Sequence, residues 1–171
     1  IRGCYREGKR NAESLCLDYF RKLNLDIKIV RIFNTYGPYM RLDDERVVSN
    51  FICSCLKNSD MNIFGDGNQT RSFCFIDDLI KIMIKVMDSD FIGPINIGSD
   101  KEVTINHLAK TINKEFKNNV NTKYLAQRED EPSRRIPNIG LAKSKYKWEP
   151  KIELKDGLKI CINYFKEFYL N

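Results

Sequence analysis

The first stretch of the chain has a helical spacing of apolar and small residues. Between residues 4 and 23 these positions recur at steps of three and four, and they are Ala12, Leu15, Cys16, Tyr19 and Leu23. Steps of this size place side chains on one face of an α-helix. The spacing therefore predicts a helix over residues 4–23, with Asn24 as its stop signal.

The next apolar run alternates in the manner of a strand. Residues 27–33 (Ile-Lys-Ile-Val-Arg-Ile-Phe) are rich in β-branched side chains and nearly alternate between apolar and polar, which predicts a β-strand. Residues 34–38 (Asn-Thr-Tyr-Gly-Pro) have the composition of a turn. A strand thus follows the first helix and ends in a polar loop.

The two periodicities continue to alternate along the rest of the chain. They predict further helices at Val47–Leu56, 77–87, 104–116 and Leu154–Tyr169, and extended segments at 62–64, 72–76, 94–98 and 120–125. Asp77 and Thr104 are the predicted helix N-caps. A tight turn is expected at residues 65–68, and a polar loop at 127–137, which holds two prolines. Strands that alternate with helices predict an α/β fold.

The composition is typical of a globular protein and does not favour a nucleic acid or a membrane as its partner. The 171 residues are 42% hydrophobic and 30% charged, which excludes disordered, collagen-like and coiled-coil proteins. Basic residues exceed acidic ones by 29 − 23 = 6, but they are interleaved with acids, so a nucleic-acid partner is not expected. Apolar stretches are shorter than a membrane span and no signal peptide opens the chain, so no membrane contact is expected from this segment. The sequence begins without Met, and we expect the true N-terminus to lie upstream.

The cysteines and the single histidine do not indicate a metal site or a nucleophile. The chain has 6 cysteines, most of them in apolar periodic segments, and we expect buried free thiols rather than disulfides. Cys53 and Cys55 would point to different sides of a helix, so they do not form a zinc signature. His107 is expected on a helix surface or in packing. No metal is predicted.

Tyr5 and Lys9 are the first candidates for chemistry. Their spacing places a phenol and an ammonium on one helix face, one turn apart. A nearby cation stabilises a phenolate, which can take a proton from a sugar hydroxyl. About one such spacing is expected by chance in a chain of this composition, so the pair alone indicates little.

Three polar loops are candidates for substrate binding. Asn34 opens the loop after the strand at 27–33, and ligands in open α/β sheets bind beyond the carboxyl ends of strands. Gln69 and Arg71 follow the glycine turn, and the Arg71 guanidinium could bind a diphosphate through two nitrogens. Arg134 and Arg135, in the proline-flanked loop, could supply a second phosphate contact. Without further context the loop at Asn34 is equally compatible with an ordinary turn, and a solvated surface position is the more common one for Arg71 and for the arginine pair.

A phosphate-binding glycine loop is absent from the sequence. The 9 glycines form neither a G-x-G-x-x-G motif nor a P-loop. A dinucleotide site therefore cannot be argued from these residues alone.

An ordered set of motifs nevertheless resembles a known family. The chain is similar to the C-terminal half of an extended short-chain dehydrogenase/reductase acting on nucleotide sugars, and most of all to the UDP-glucuronate decarboxylases, also called UDP-xylose synthases. The resemblance covers essentially all 171 residues. The motifs that carry it are at residues 5–13 (YREGKRNAE), 31–38 (RIFNTYGP), 44–51 (DERVVSNF), 65–73 (GDGNQTRSF), 96–98 (NIG), 130–137 (DEPSRRIP) and 148–150 (WEP).

The resemblance implies an activity and roles for particular residues. Bound NAD would oxidise C4 of the glucuronate, the resulting β-keto acid would lose carbon dioxide, and reduction of the ketone would give UDP-xylose. Tyr5 would be the general base, and Lys9 would stabilise its phenolate and bind the nicotinamide ribose. The expected contacts to the sugar diphosphate are Asn34, Arg46, Gln69, Arg71 and Arg135. The resemblance also implies a homodimer, in the cytoplasm or the Golgi lumen.

The resemblance further implies how the chain is organised. Residues 1–171 would hold the catalytic helix, the last strands of an NAD(P)-binding Rossmann-type domain and a smaller mixed α/β substrate-binding portion. The N-terminal dinucleotide-binding half is not in the sequence, so these residues alone are not expected to turn over substrate. Two alternatives stay open: another nucleotide-sugar enzyme of the superfamily, such as a dTDP-glucose 4,6-dehydratase or a UDP-sugar 4-epimerase, and a non-catalytic dimerisation or binding remnant.

Overall fold

The structure is a computed structural model, and it describes residues 2–41, 43–44, 46–117, 119–129 and 131–169. Helices and strands alternate along most of the chain. In chain order the elements are α1 (Arg2–Leu23), β1 (Ile29–Ile32), β2 (Thr35–Tyr36), α2 (Val47–Leu56), β3 (Met61–Phe64), β4 (Thr70–Ser72), β5 (Cys74–Phe75), α3 (Ile76–Met87), β6 (Pro94–Ile97), β7 (Glu102–Thr104), α4 (Ile105–Lys114), β8 (Thr122–Leu125), β9 (Arg134–Arg135), α5 (Gly140–Tyr146) and α6 (Leu154–Tyr169).

Most of the strand pairs are parallel. β1 pairs with β6, β2 with β5 and β3 with β8, each in parallel register. Parallel neighbours need a crossover connection, and α2, α3 and α4 lie within these crossovers. β4 is the centre of a three-stranded sheet, antiparallel to β7 on one side and parallel to β9 on the other. This arrangement confirms the predicted α/β class.

The apolar core consists of two clusters. The larger one joins α2, β3, α4 and α6, with Ile52, Leu108, Ile112 and Phe165 fully buried. The smaller one packs α3 and α5 against β6 and includes Trp148. The larger cluster packs against β3, and the smaller one against the β1–β6 pair.

Tyr36 of β2 connects this strand to the C-terminal helix, α6. Its ring is buried, its hydroxyl donates to Leu154 O at 3.2 Å, and the Phe75 ring meets it edge-on at 5.5 Å. Burial raises the pKa of the Tyr36 phenol above its ordinary value. A Cβ on Gly157 would collide with the Tyr36 hydroxyl, so α6 requires glycine at this close approach.

The start of α3 corrects one prediction. Asp77 is not the N-cap. Phe75 occupies that position in an extended conformation without a side-chain cap, because β5 pairs with β2 up to the residue before the helix. Asp77 lies in the first turn, and the neighbouring Asp78 is buried and accepts the backbone N–H groups of Lys151 and Ile152 at 2.7 Å each. The cap predicted at Thr104 is confirmed, since its hydroxyl accepts from His107 N.

α1 contacts the sheet through an ion pair and leaves an apolar face uncovered. Arg31 of β1 donates to both Glu13 oxygens, at 2.7 and 2.5 Å, and this holds the pKa of the Glu13 carboxyl below its ordinary value. The helix ends at the predicted stop, where Asn24 has a φ of 50°. Leu15, Tyr19 and Leu23 are between 54% and 60% exposed, so the predicted apolar face exists but is not buried by the described part of the chain.

The thiols follow the prediction in part. None of the six cysteines, all of which lie in the described part of the chain, forms a disulfide; only Cys55, Cys74 and Cys161 are buried, and Cys4 on α1 is exposed. Burial raises the pKa of Cys55 to about 11 and those of Cys74 and Cys161 to about 12, so these groups stay protonated at neutral pH. Among the described residues, no helix is both long and apolar enough to cross a bilayer.

Candidate functional site

Tyr5 and Lys9 lie together on the outer face of α1. The Lys9 ammonium is 5.6 Å from the centre of the Tyr5 ring, and Tyr5 is 69% exposed. The one-turn spacing predicted from the sequence therefore produces a real contact between cation and phenol.

Asn34 stands at the carboxyl end of β1, as predicted. Its side-chain amide donates to Ser72 O at 3.2 Å, and its backbone carbonyl accepts from Cys74 N at 2.9 Å. These two bonds connect the loop after β1 to the end of β4 and to the start of β5. Asn34 is consequently placed beside the strand that carries Arg71.

The glycine turn between β3 and β4 is ordered by its own side chains. Gly65 and Gly67 have φ values of 77° and 74°, which is the region that glycine tolerates without strain. Asp66 accepts from Asn68 N at 2.9 Å. Gln69 donates to Phe64 O at 2.7 Å and so closes the turn. In this structure the Gln69 amide therefore holds the turn.

Arg71 is the buried centre of this group. It is 7% exposed, and its guanidinium donates to Thr70 O at 2.8 Å and to Glu131 at 3.0 Å. Arg135 lies opposite Arg71 in the parallel pairing of β4 with β9, and its side chain is exposed. Registered partners point to the same face of a sheet, so the two arginines are neighbours.

Arg134, the other member of the predicted arginine pair, has a structural partner. It donates to both Glu102 oxygens, at 2.9 and 2.7 Å, and Thr70 donates to the same carboxylate at 2.7 Å. Mainly through the Arg134 hydrogen bonds, the pKa of Glu102 falls to about 2. The loop predicted at 127–137 thus contains a short strand, β9, which is fixed to both β4 and β7.

Arg46 stands apart from the group around β4. It is the N-cap residue of α2, its side chain is exposed, and its Nε lies 3.4 Å from an Asp44 oxygen. The structure thus gathers Asn34, Gln69, Arg71 and Arg135 around β4. Within the described part of the chain, neither Arg46 nor the pair on α1 forms a hydrogen bond or ion pair with any of them.

Sequence reasoning missed Glu131 as a partner of Arg71. The two residues are 60 positions apart, and their pairing follows from the alignment of β9 with β4. No spacing rule connects residues across such a distance. The adjacent Pro132 indicated only a loop.

An open cleft of about 410 Å³ lies beside this sheet and includes none of the predicted site residues. His107 lines it from the exposed side of α4, in agreement with the helix-surface position expected for this residue. The other lining residues are Phe73, Ser99, Lys101, Val103, Thr111, Lys114, Glu115, Glu153, Leu154 and Lys155. No group of three or more metal-ligating side chains occurs in the part of the molecule that the structure describes.

The fold and these motifs define a class of protein. Residues 1–98 match the family described as "NAD dependent epimerase/dehydratase family", and this match covers more than half of the chain. The chain therefore belongs to the NAD dependent epimerase/dehydratase family.

Two similar curated proteins are UDP-glucuronic acid decarboxylases. The chain is 43% identical over 167 residues to UDP-glucuronic acid decarboxylase 2 from Arabidopsis thaliana, covering 98% of the chain and 38% of that protein. It is 44% identical over 166 residues to UDP-glucuronic acid decarboxylase 6 from the same plant, covering 97% and 48%. The chain thus spans less than half the length of these two relatives.

Solved structures share the Rossmann-type fold. UDP-glucuronic acid 4-epimerase from Bacillus cereus, in complex with UDP-glucuronic acid and NAD, matches 92% of the chain with a TM-score of 0.84 and 31% identity, over 50% of that protein. UDP-N-acetylglucosamine 4-epimerase from Methanobrevibacter ruminantium M1 matches 96% of the chain with a TM-score of 0.90 and 26% identity, over 54% of its length. The predicted fold class is confirmed.

Proposed function

We propose that this chain supplies the catalytic helix and the nucleotide-sugar-binding portion of an NAD-dependent UDP-glucuronate decarboxylase, which forms UDP-xylose. The observation that carries the proposal is 43% identity over 98% of the chain to a UDP-glucuronic acid decarboxylase. The domain organisation follows: α1 and the β1–β6 pair belong to the Rossmann-type part, and the elements around β4 belong to the substrate portion. The dinucleotide-binding half is not among these 171 residues.

The residues present fit one end of NAD. Tyr5 and Lys9 are exposed on one face of α1 and would contact the nicotinamide ribose. The sequence holds no glycine-rich phosphate loop, so the pyrophosphate would be bound outside these residues. When bound, NAD supplies the reversible oxidation of the sugar C4 alcohol to a ketone.

Tyr5 would accept the proton that is released in that step and later return it. Its phenolate takes the proton from the C4 hydroxyl, and the Lys9 ammonium, one turn away, stabilises the negative oxygen. The C6 carboxylate is then β to the C4 ketone, so the C5–C6 bond can break with its electron pair delocalised into the carbonyl. Carbon dioxide leaves, C5 gains a proton, and Tyr5 returns its proton to the C4 oxygen as the ketone is reduced.

The group around β4 would bind the nucleotide diphosphate. Arg71 and Arg135 are adjacent on one face of the sheet, and guanidinium groups bind phosphate through paired hydrogen bonds. Asn34 and Gln69 border the same strand. Arg46 would contribute from the start of α2, once substrate occupies the space between these elements.

A homodimer is part of the proposal. The exposed stripe of Leu15, Tyr19 and Leu23 on α1 is apolar enough to need a partner surface, and a second copy of α1 would cover it symmetrically. Light scattering would give twice the protomer mass, and Leu15→Glu would shift the population to monomer. A monomeric wild-type protein would contradict this part of the proposal.

A second candidate is UDP-glucuronate 4-epimerase. It is favoured by the B. cereus epimerase, whose structure holds UDP-glucuronic acid and matches with a TM-score of 0.84. Its 31% identity is lower than the 43% to the decarboxylase. The two activities start from the same substrate. Their products differ in whether the C6 carboxylate is lost and in the configuration at C4.

The experiment uses a chimera in which this chain replaces the matched segment of UDP-glucuronic acid decarboxylase 6 from A. thaliana. The chimera is incubated with UDP-glucuronate and NAD, and the nucleotide sugars are separated by chromatography. UDP-xylose supports the proposal, and UDP-galacturonate would establish the epimerase instead.

Arg71→Ala should weaken UDP binding roughly 10- to 100-fold, since it removes charge-assisted hydrogen bonds.

A further inference from the structure

Arg71 is a buried cation that already has an anionic partner. Its side chain is 9% exposed, and its Nη2 donates to Glu131 Oε1 at 3.0 Å. Its Nη1 donates to the Thr70 carbonyl at 2.8 Å and lies 3.4 Å from that of Ser133. A buried charge needs a counter-charge, and in the described part of the chain Glu131 is the acid that pairs with this guanidinium.

The pair can open without unfolding the sheet. Glu131 binds Arg71 through one of its two oxygens, and its side chain is 29% exposed, so a released carboxylate returns directly to water. β9 is held independently, because Thr70 N donates to Ser133 O at 2.9 Å and Arg71 stays in register with Arg135. The carboxylate is therefore the movable member of the pair.

A diphosphate is the anion suited to take its place. It carries more negative charge than a carboxylate and offers several oxygens to the guanidinium fork. The neighbouring Arg135 adds a second cation on the same face of the sheet. Replacing one anion by another keeps the buried Arg71 charge compensated before and after binding.

We propose that Glu131 is the internal counter-ion of Arg71, holds the guanidinium in place while the site is empty, and is exchanged for the diphosphate of the incoming nucleotide sugar. The inference rests on the proposed function, in which Arg71 is a diphosphate contact. Glu131 is accordingly a positioning residue that acts through Arg71. It sets the affinity for the nucleotide sugar and takes no part in the chemistry.

The test is a calorimetric titration of the 171-residue chain with UDP and, separately, with inorganic pyrophosphate. Glu131→Gln removes the competing charge and should tighten binding of both ligands about 3- to 5-fold, the upper part of the range for a partly exposed ion pair. Glu131→Asp keeps the charge on a shorter side chain and should give a smaller gain. Glu129→Gln makes the same charge change in the same loop and should leave the affinity within about twofold.

Each result of these titrations either supports or overturns the exchange of Glu131 for the diphosphate. Unchanged or weaker UDP binding in a folded Glu131→Gln chain, checked by its melting temperature, overturns the exchange, as does a wild-type chain that binds neither ligand. A gain for UDP without a gain for pyrophosphate also overturns it, because the diphosphate would then not be the displacing group. If Glu131→Gln fails to fold, the Glu131→Asp titration carries the test.

The same variants in the chimera separate this inference from the proposed function. There the gain from Glu131→Gln should appear as a lower KM for UDP-glucuronate and not as a higher kcat. A chimera that forms no UDP-xylose while Glu131→Gln still tightens UDP binding would refute the decarboxylase proposal alone. A decarboxylating chimera with an unchanged KM in Glu131→Gln would refute the exchange alone.

Discussion

At the scale of single residues, the proposed chemistry assigns the general base to Tyr5, with Lys9 as its neighbour one turn along the helix. Tyr5 is exposed and has the Lys9 ammonium 5.6 Å from its ring centre. In the chimera, Tyr5→Phe keeps the ring and removes the proton acceptor. We expect kcat to fall by about 10²- to 10⁴-fold, the usual contribution of a general base, while UDP affinity is retained.

Steady-state kinetics and a UDP titration on the same preparation measure both quantities. Tyr19→Phe is the matched control, since it makes the same change on the same helix four turns away. Near-normal turnover in Tyr5→Phe would remove Tyr5 from the role of general base.

A second residue-scale prediction concerns the carboxylate that joins β7 to β9. Hydrogen bonds from Arg134 and Thr70 lower the Glu102 pKa from 4.5 to about 2 in the folded chain. A lowered folded-state pKa stabilises the protein above the unfolded pKa, and this stabilisation is lost as the pH falls from about 4.5 towards 2. Glu102→Gln should therefore melt lower than wild type at pH 7, with a smaller difference at pH 3.

Melting temperatures of both proteins across this pH range provide the measurement. Glu129→Gln removes an exposed carboxylate from the same region, and its melting temperature should match that of the wild type at each pH. If the difference in melting temperature between Glu102→Gln and wild type stays constant from pH 7 to pH 3, the ionisation of Glu102 does not contribute to stability.

At the scale of elements, α6 can pack closely against β2 and β5 because it has a glycine at the point of contact. Gly157 faces the Tyr36 hydroxyl and the Phe75 ring, and a Cβ there would overlap both. Gly157→Ala should cost about 1–3 kcal/mol of unfolding free energy, because a tightly packed contact must shift. Gly8→Ala has open space around its Cβ on α1 and should gain about 0.5–1 kcal/mol through better helix propensity.

Urea denaturation of the two variants and the wild type distinguishes packing from propensity. Opposite signs for the two glycine substitutions are expected, although both residues lie in helices. A Gly157→Ala chain as stable as wild type would mean that α6 can move away from Tyr36 at little cost.

Elements with a long periodic pattern could be predicted from the sequence. The predicted bounds of α2 and α6 match the structure, since each carries several turns of helical spacing. The strands β2 and β9 have two residues each, and their partners are about 40 and 60 residues away, so no local pattern marks them. The short helix α5 begins at a glycine without a side-chain cap, which likewise gives no signal.

In the candidate site, too, contacts between residues close in sequence could be predicted, and contacts between distant residues could not. The Tyr5–Lys9 pair follows from helix spacing alone. The pairing of Arg71 with Glu131 depends on how the β4 and β9 backbones align, and that alignment is fixed by the whole three-stranded sheet. The sequence could indicate that Arg71 binds an anion, but it could not indicate that Glu131 is the anion that it binds here.

At the scale of the whole molecule, the central claim is that these residues belong to an enzyme that removes a carboxylate from UDP-glucuronate. The most direct measurement follows that carboxylate in the chimera. UDP-glucuronate labelled with ¹³C at C6 is supplied with NAD, and released carbon dioxide is measured together with the label left in the nucleotide sugar. We predict that labelled carbon dioxide and UDP-xylose form in equal amounts. Label retained in a UDP-hexuronate product, with no labelled carbon dioxide, would contradict the account.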